Sequence, residues 1–312
     1  MNFYFAPMEG LTGYVYRNAH RAFFSDINKY FSPFIVANQC ESFRSRELKD
    51  ILPENNLGVV LIPQLLTNNA KDFICASKKI QSLGYNEINF NLGCPSKTVV
   101  SKHKGAGFLS DKEKLDAFFD EIFSQSSTKI SVKTRIGINN PEEFYELISI
   151  FNKYPIKELI IHPRTQKDYY QNKPNQKVFK DALALSKNPV CYNGDIFTVE
   201  DYNDFSVNFP EVETMMLGRG LITDPGLVGD ILRNTKLEKN TLRNFHDKIY
   251  EDYQQTLSGD HNVLFKMKEL WSYMISIFSN NSKYAKRIKK SQRLYEYNEA
   301  VANLFHEQDI LR

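Results

Sequence analysis

The feature that most constrains this chain is an alternation. Eight short apolar runs, rich in β-branched and aromatic residues, lie at 3–6, 34–37, 59–64, 87–92, 130–134, 158–162, 189–192 and 214–217. Stretches of helical period separate them. Ser110-Asp111-Lys112-Glu113 has the form of a capping box ahead of an apolar stripe of Leu115, Phe118, Phe119 and Ile122, which predicts an amphipathic helix. Asn140-Pro141 opens another, with Phe144, Leu147, Ile148 and Phe151 on one face and proline at the first helical position. Strands alternating with helices imply βαβ units and a parallel sheet. Eight units within about 235 residues match a (β/α)8 TIM barrel, which typically takes ~250. The competing α/β fold is a doubly wound open sheet. No GxGxxG follows the first run, which counts against its dinucleotide-binding form.

Past residue 237 the texture becomes all-helical. Leu242, Phe245, Ile249, Tyr253 and Leu257 keep helical spacing, as do Leu264, Met267, Trp271, Met274 and Phe278, then Leu294, Tyr297, Val301 and Phe305. The expected organisation is a barrel over 1–236 and a small helical bundle over 237–312. No apolar run approaches the ~20 residues of a membrane span. Residues 1–10 read as a buried strand rather than a signal peptide, so a cytoplasmic protein is expected. The four cysteines, Cys40, Cys75, Cys94 and Cys191, form no CxxC pair, so no zinc site is suggested. All four are expected as thiols in a reducing compartment, three of them as small core residues. The formal charge of +3 is modest, but its placement is informative. Residues 236–312 carry 13 basic against 10 acidic side chains, while the remainder balances at 27 each. Much of the excess lies in the run 283–293, around Lys286, Arg287, Lys289 and Lys290.

Polar and special residues fall at the C-terminal ends of the proposed strands. Pro7-Met8-Glu9-Gly10 ends the first and Gln64 the third; Asn89, Asn91 and Cys94 lie at the fourth. Lys133 and Arg135 end the fifth, His162 and Arg164 the sixth, Asn193-Gly194-Asp195 the seventh and Gly218-Arg219-Gly220 the eighth. In a barrel these ends share one rim, where barrel active sites sit, and glycine-containing turns after the last two strands form its usual phosphate site. A phosphorylated cofactor in the mouth follows. Each residue alone has a plainer reading: a lone lysine is a solvated strand end, and Asn-Gly-Asp is a common turn. Their occurrence together, in strand order, favours function.

These residues also resemble a known family. Asn91-Leu92-Gly93-Cys94-Pro95-Ser96-Lys97 through Gly105-Ala106-Gly107 looks like the signature of tRNA-dihydrouridine synthases. Ala6-Pro7-Met8-Glu9-Gly10, Val132-Lys133-Thr134-Arg135, Ile161-His162-Pro163-Arg164-Thr165, Asn193-Gly194-Asp195 and Gly218-Arg219-Gly220 follow in the family's order. The Asn-x-Gly-Cys-Pro block is the specific part; the other motifs are shared with related FMN barrels. The resemblance implies that FMN contacts Pro7, Met8, Glu9, Gln64, Lys133, His162, Asn193, Gly194, Asp195, Gly218 and Arg219. It implies that Cys94 donates a proton to the target uracil, that Asn91 faces that base, and that the helical domain holds tRNA. Lys97, Arg135, Arg164, Lys286, Arg287, Lys289 and Lys290 are the expected substrate contacts, and NADPH the expected reductant. No protein partner is indicated and a monomer is expected. One departure is Pro163, where many members carry glycine.

The chemistry is consistent with those assignments. Reducing a uracil C5=C6 bond needs a hydride, which no side chain donates, and a proton. An ordinary thiol, of pKa about 8.5, is protonated at neutral pH and can supply the proton. The loop 96–107 carries Lys97, Lys102, His103 and Lys104 and reads as a lid over the base or as a solvated charged loop. Tyr169-Tyr170 are candidates to stack on the base, or core aromatics. Two alternatives of other classes stand beside this reading. One is a dihydroorotate-dehydrogenase-like or old-yellow-enzyme-like FMN barrel acting on a small molecule. The other is an RNA-binding protein with an inactive barrel.

Overall fold

The computed structural model describes residues 1–38 and 43–311. Ten parallel strands among them form one sheet: β1 Asn2–Phe5, β2 Lys29–Phe31, β3 Ile35–Val36, β4 Leu61–Ile62, β5 Gln64–Leu66, β6 Glu87–Leu92, β7 Lys129–Arg135, β8 Leu159–His162, β9 Val190–Tyr192 and β10 Thr214–Leu217. The ten are eight staves, because two are broken. Pro63 separates β4 from β5 and has no N–H to give, yet its carbonyl accepts from Asn89 N at 2.9 Å, so the ladder continues. Opposite it, β2 and β3 are separated at Ser32, whose hydroxyl accepts from Gln64 N at 3.0 Å. β2 pairs with β4 and β3 with β5, while β1 pairs with both β2 and β10. The ring is therefore closed and the fold is a (β/α)8 TIM barrel.

The second stave corrects the expectation of a strand at 34–37 alone. It begins at Lys29, where Tyr4 and Phe5 of β1 pair with Lys29 and Tyr30. Lys29-Tyr30-Phe31, between Asn28 and Pro33, is too short a run to be read as a strand from sequence alone. Inside the ring, Tyr4, Ala6, Phe31, Ile62, Ile160, Cys191 and Met216 form one buried cluster. Six staves contribute to it, which only inward-facing positions of a closed barrel allow.

The helix Lys112–Gln125 buries Leu115, Phe118, Phe119 and Ile122, and Phe118 stacks on Phe90 of β6 at 4.8 Å. Its cap differs from the expected box. Asp111 is the N-cap and accepts from Lys114 N at 3.2 Å, while Ser110 donates to the carbonyl of Gly107. A carboxylate one residue on competes with serine for the cap and adds charge at the positive helix end.

The chain divides into two compact units. The first, Met1–Pro7, Asn28–Asp195 and Ser206–Leu217, contains every stave. The second, Met8–Ile27, Ile196–Phe205 and Gly218–Arg312, is helical. Its helices Lys239–Thr256, Asp260–Met274, Ser282–Lys290 and Leu294–Glu307 bury Leu242, Phe245, Ile249, Met267, Trp271, Tyr297 and Val301. A satisfied polar chain fixes their core. Trp271 Nε1 donates to the Tyr297 hydroxyl at 2.8 Å, which lies 2.6 Å from His246 Nε2, and His246 Nδ1 lies 2.7 Å from Asp247. Among the described residues no helix is long and apolar enough to cross a membrane. Cys94 and Cys191 are thiols, whereas Cys75 is disulfide-bonded, contrary to the expectation of thiols throughout; Cys40 lies outside the described residues.

Candidate active site

The barrel mouth is built on a ladder of buried amides. Asn91 and Asn89 are two apart on β6, so both face inward. Gln64 of β5 donates to Asn89 Oδ1 and accepts from Asn91 Nδ2, each at 2.7 Å. Asn89 donates on to Ser131 Oγ of β7 at 3.0 Å. These side chains lie in the interior, where an unpaired amide costs about 1–3 kcal/mol. Each is therefore held in a single orientation by its neighbours. Asn91 has a second task. Its Oδ1 accepts from Gly93 N at 3.0 Å and Cys94 N at 2.9 Å, an Asx-type turn that carries the chain off β6 and presents Cys94.

Glycines close that turn from the other side. Gly105 has a φ of +56°, and a Cβ there would lie 2.9 Å from the Cys94 carbonyl oxygen and 3.0 Å from Cys94 Cβ. Only glycine tolerates both the backbone conformation and the approach. Ala106 N then donates to the Cys94 carbonyl at 3.1 Å. The Cys94 side chain is half-buried. Lys97, expected to touch substrate, sits exposed on the single turn Lys97–Val100.

Lys133 of β7 lies beside Asn91 in the strand register. Its ammonium forms no hydrogen bond or ion pair with the described residues. Burial, and then the nearby Arg135 cation, lower its pKa to about 8. A desolvated cation at a barrel mouth is set to receive an anionic or electron-rich group. Arg135, two residues on, is different. Its Nε donates to the Gly93 carbonyl at 3.0 Å, and its two terminal nitrogens to the carbonyls of Thr165 at 2.6 Å and Tyr169 at 2.8 Å. It is 2% exposed. It braces the two loops that carry those carbonyls.

His162 pairs in register with Arg135. Its Nδ1 lies 2.7 Å from the Asn193 carbonyl, which can only accept, so Nδ1 carries the proton. Nε2 then accepts from Arg164 at 3.3 Å. Burial, reinforced by the cations of Arg135, Lys133 and Arg164, holds its pKa well below the usual histidine value. The ring is neutral. Asn193 donates to the Met216 carbonyl of β10 at 2.7 Å. Arg164 and Asp195, expected to face substrate and cofactor respectively, form a two-pronged ion pair at 2.9 and 2.5 Å. Arg164 N reaches back to the His162 carbonyl at 2.7 Å, a three-residue turn suited to the fixed φ of Pro163. A Cβ at Gly194 would lie 1.9 Å from the Tyr192 hydroxyl, so a side chain there would displace that ring. Tyr170 is 52% exposed, so it is no core aromatic.

Pro7 is half-buried at the end of β1. The remaining expected contacts fall in the helical unit. Met8 N donates to Thr12 Oγ1 at 2.8 Å, Glu9 is exposed, and Gly218 precedes the helix Arg219–Thr223. The Arg219 guanidinium lies over the Phe197 ring at 5.3 Å. On Ser282–Lys290, Lys286, Lys289 and Lys290 are exposed and form no ion pair with the described residues. Arg287 pairs with Glu299 at 2.8 Å.

Bonds thus join Gln64, Asn91, Cys94 and Arg135 into one network, and His162, Arg164, Asn193 and Asp195 into another. Ser32, Ser131 and Gln166 complete them, and the sequence singled out none of the three. A serine within an apolar strand carries no pattern that distinguishes a site from a core hydroxyl.

Solved structures give the class. The chain is similar to the old yellow enzyme from Trypanosoma cruzi, with a TM-score of 0.54 and 8% identity over 81% of this chain and 94% of that one. It is similar to a 2-naphthoyl-CoA reductase complex at a TM-score of 0.57 and 10% identity, over 75% and 50%. At such identities they show the fold alone, an α/β barrel. The dihydrouridine synthase family model matches residues 4–311, and the chain belongs to the dihydrouridine synthase family. It is 26% identical to a probable tRNA-dihydrouridine synthase of Helicobacter pylori over 86% of this chain and 82% of that one. It is 31% identical to the tRNA-dihydrouridine(16) synthase of Pseudomonas putida over 54% and 53%. The match thus spans about half the length of the second relative.

Proposed function

We propose that this protein reduces the C5=C6 bond of a uridine in tRNA, with FMN as cofactor and NADPH as the source of electrons. The observation that carries the reading is a thiol and an unpaired cation on one rim. Asn91 anchors the turn that presents Cys94 and stands beside Lys133 in the sheet. The residues fit a bound flavin. Among the described residues Lys133 has no hydrogen-bond or ion-pair partner, and an electron-rich ring edge would supply one.

Reduced FMN, when bound, supplies the hydride to uracil C6. The chain does the rest. Lys133 stabilises negative charge on the cofactor. Cys94 gives its proton to C5. His162, proton-bearing at Nδ1 and neutral, accepts from Arg164 at Nε2 and adds no fourth cation to Lys133, Arg135 and Arg164. Gly218 and Arg219 are assigned to the cofactor phosphate. A stacked uridine must leave its helix to reach a barrel mouth, and exposed Tyr170 offers it a stacking face. Lys286, Lys289 and Lys290 are assigned to tRNA phosphates, which position the RNA without reading its sequence.

Cys94→Ala tests the assignment. It should keep the flavin and its reduction by NADPH, and lose about 100-fold or more of dihydrouridine formation, the range of a general acid. Full product formation by the variant would remove Cys94 from the chemistry.

A further inference from the structure

The Cys94 turn is tied to a second loop, and the tie runs through one side chain. Arg135 donates Nε–H to the Gly93 carbonyl, and its two terminal nitrogens to the carbonyls of Thr165 and Tyr169. Gly93 belongs to the turn that presents the thiol. Thr165 and Tyr169 belong to the loop that presents Tyr170. The Tyr170 ring lies over the guanidinium at 5.4 Å and meets the His162 ring edge-on at 6.0 Å. A parallel tie runs from Gln166 Nε2 to the Pro95 carbonyl at 3.2 Å.

The second loop is braced in turn. Asp168 accepts from both the N–H and the hydroxyl of Thr165, at 2.7 and 2.8 Å, and Gln166 N donates to the Gly137 carbonyl at 2.8 Å. Tyr169 holds a φ of +46°, a conformation that bulky residues adopt only under constraint. Its carbonyl is one of the three that Arg135 takes.

We propose that Arg135 is a positioning residue for the proton-transfer step, holding the Cys94 turn and the Tyr170 loop as one preassembled wall of the site. This rests on the reading of Cys94 as proton donor. Three fixed donors in a plane can serve three carbonyls on two loops, whereas a lysine offers one charge and no fork. Proton transfer is sensitive to placement, since a shift of about 1 Å costs roughly 100-fold. Arg135 thus acts on the reaction through where it holds the sulfur, without touching the base.

The test uses the full-length, flavin-loaded protein with Arg135→Lys, and Gln166→Ala as a milder second variant. Peptide-resolved alkylation of Cys94 by iodoacetamide reads the turn directly and needs no tRNA. In Arg135→Lys its rate should rise about three-fold or more as the turn opens. Single-turnover flavin reoxidation by tRNA should fall about ten-fold or more, with NADPH reduction of the flavin and tRNA affinity unchanged. Gln166→Ala should shift both in the same directions by less. Unchanged alkylation together with weakened tRNA binding would overturn the proposal and make Arg135 a substrate contact. Unchanged alkylation and reoxidation in a folded variant would overturn it too. If Arg135→Lys does not fold, Gln166→Ala carries the same two outcomes. If the wild-type protein does not reduce tRNA, the chemical reading fails, while the alkylation contrast still decides whether the clamp exists.

Discussion

Asn91 takes the backbone N–H of Cys94 on its side-chain oxygen at 2.9 Å while its amide nitrogen donates to Gln64. One side chain thereby joins the barrel wall to the reactive turn. Asn91→Ala should leave two N–H groups and one buried carbonyl oxygen without partners, at about 1–3 kcal/mol for each that stays dry. It should lower tRNA-dependent flavin reoxidation more than NADPH-dependent reduction. Asn91→Asp keeps the acceptors but sets an anion beside Lys133, so flavin affinity should fall. Urea unfolding and the two half-reactions, measured separately, check both; equal losses in both half-reactions would mean a general structural defect.

The Lys133 ammonium gives a pH dependence with a definite sign. Its pKa is lowered to about 8 by burial, and a bound electron-rich flavin raises it again by favouring the charged form. Binding therefore takes up a proton once pH passes about 8. Flavin affinity should be level below pH 8 and weaken above it. Lys133→Met should bind less tightly and show no such decline. Fluorescence titrations from pH 6.5 to 9.5 measure both, and an identical decline in the variant would assign the proton elsewhere.

A second pH effect belongs to stability. Burial lowers the pKa of His20 to about 3, so below the unfolded value of about 6.5 the unfolded chain takes up a proton that the folded one refuses. Stability is unaffected above pH 6.5 and is lost as pH falls toward 3, by up to about 1.4 kcal/mol per pH unit. Buried His246 and His162 contribute in the same sense. In urea unfolding, His20→Gln should lose less stability than the wild type between pH 7.5 and 5. Parallel losses would contradict the account.

On the helix Ser282–Lys290, Lys286, Lys289 and Lys290 stand apart from Arg287, which Glu299 engages. Changing the three lysines to serine should weaken tRNA binding and reduce its dependence on salt, the slope of log K against log salt falling by roughly 2. Arg287→Ser should do less. An unchanged slope would make the run a solvated helix face.

Sequence reading located the barrel because alternation is a local property, legible from each run in turn. It found the second half of the second stave, Ile35–Val36, and missed the first, since Lys29-Tyr30-Phe31 is too short a run to read as a strand until β1 pairs with it. It placed Asn91, Lys133, Arg135 and His162 at the C-terminal ends of their strands because strand direction alone decides that. It assigned Lys133 to the cofactor and Arg135 to the substrate, but gave no sign of the bonds that set the two apart. Both are cations on one strand, two residues apart. One clamps three carbonyls and the other has no hydrogen-bond or ion-pair partner among the described residues, and the loops that Arg135 holds make that difference. Arg164 and Asp195 likewise engage each other across 31 residues, a pairing that spacing does not foretell.

The central claim is tested most directly by reducing the flavin-loaded protein with NADPH under anaerobic conditions and following a single turnover with unmodified tRNA or with free uridine. The account predicts rapid flavin reoxidation by tRNA, with dihydrouridine in the recovered RNA, and little by uridine. Reoxidation by a small enone or by uridine while tRNA is ignored would contradict it and mark the barrel as a small-molecule reductase.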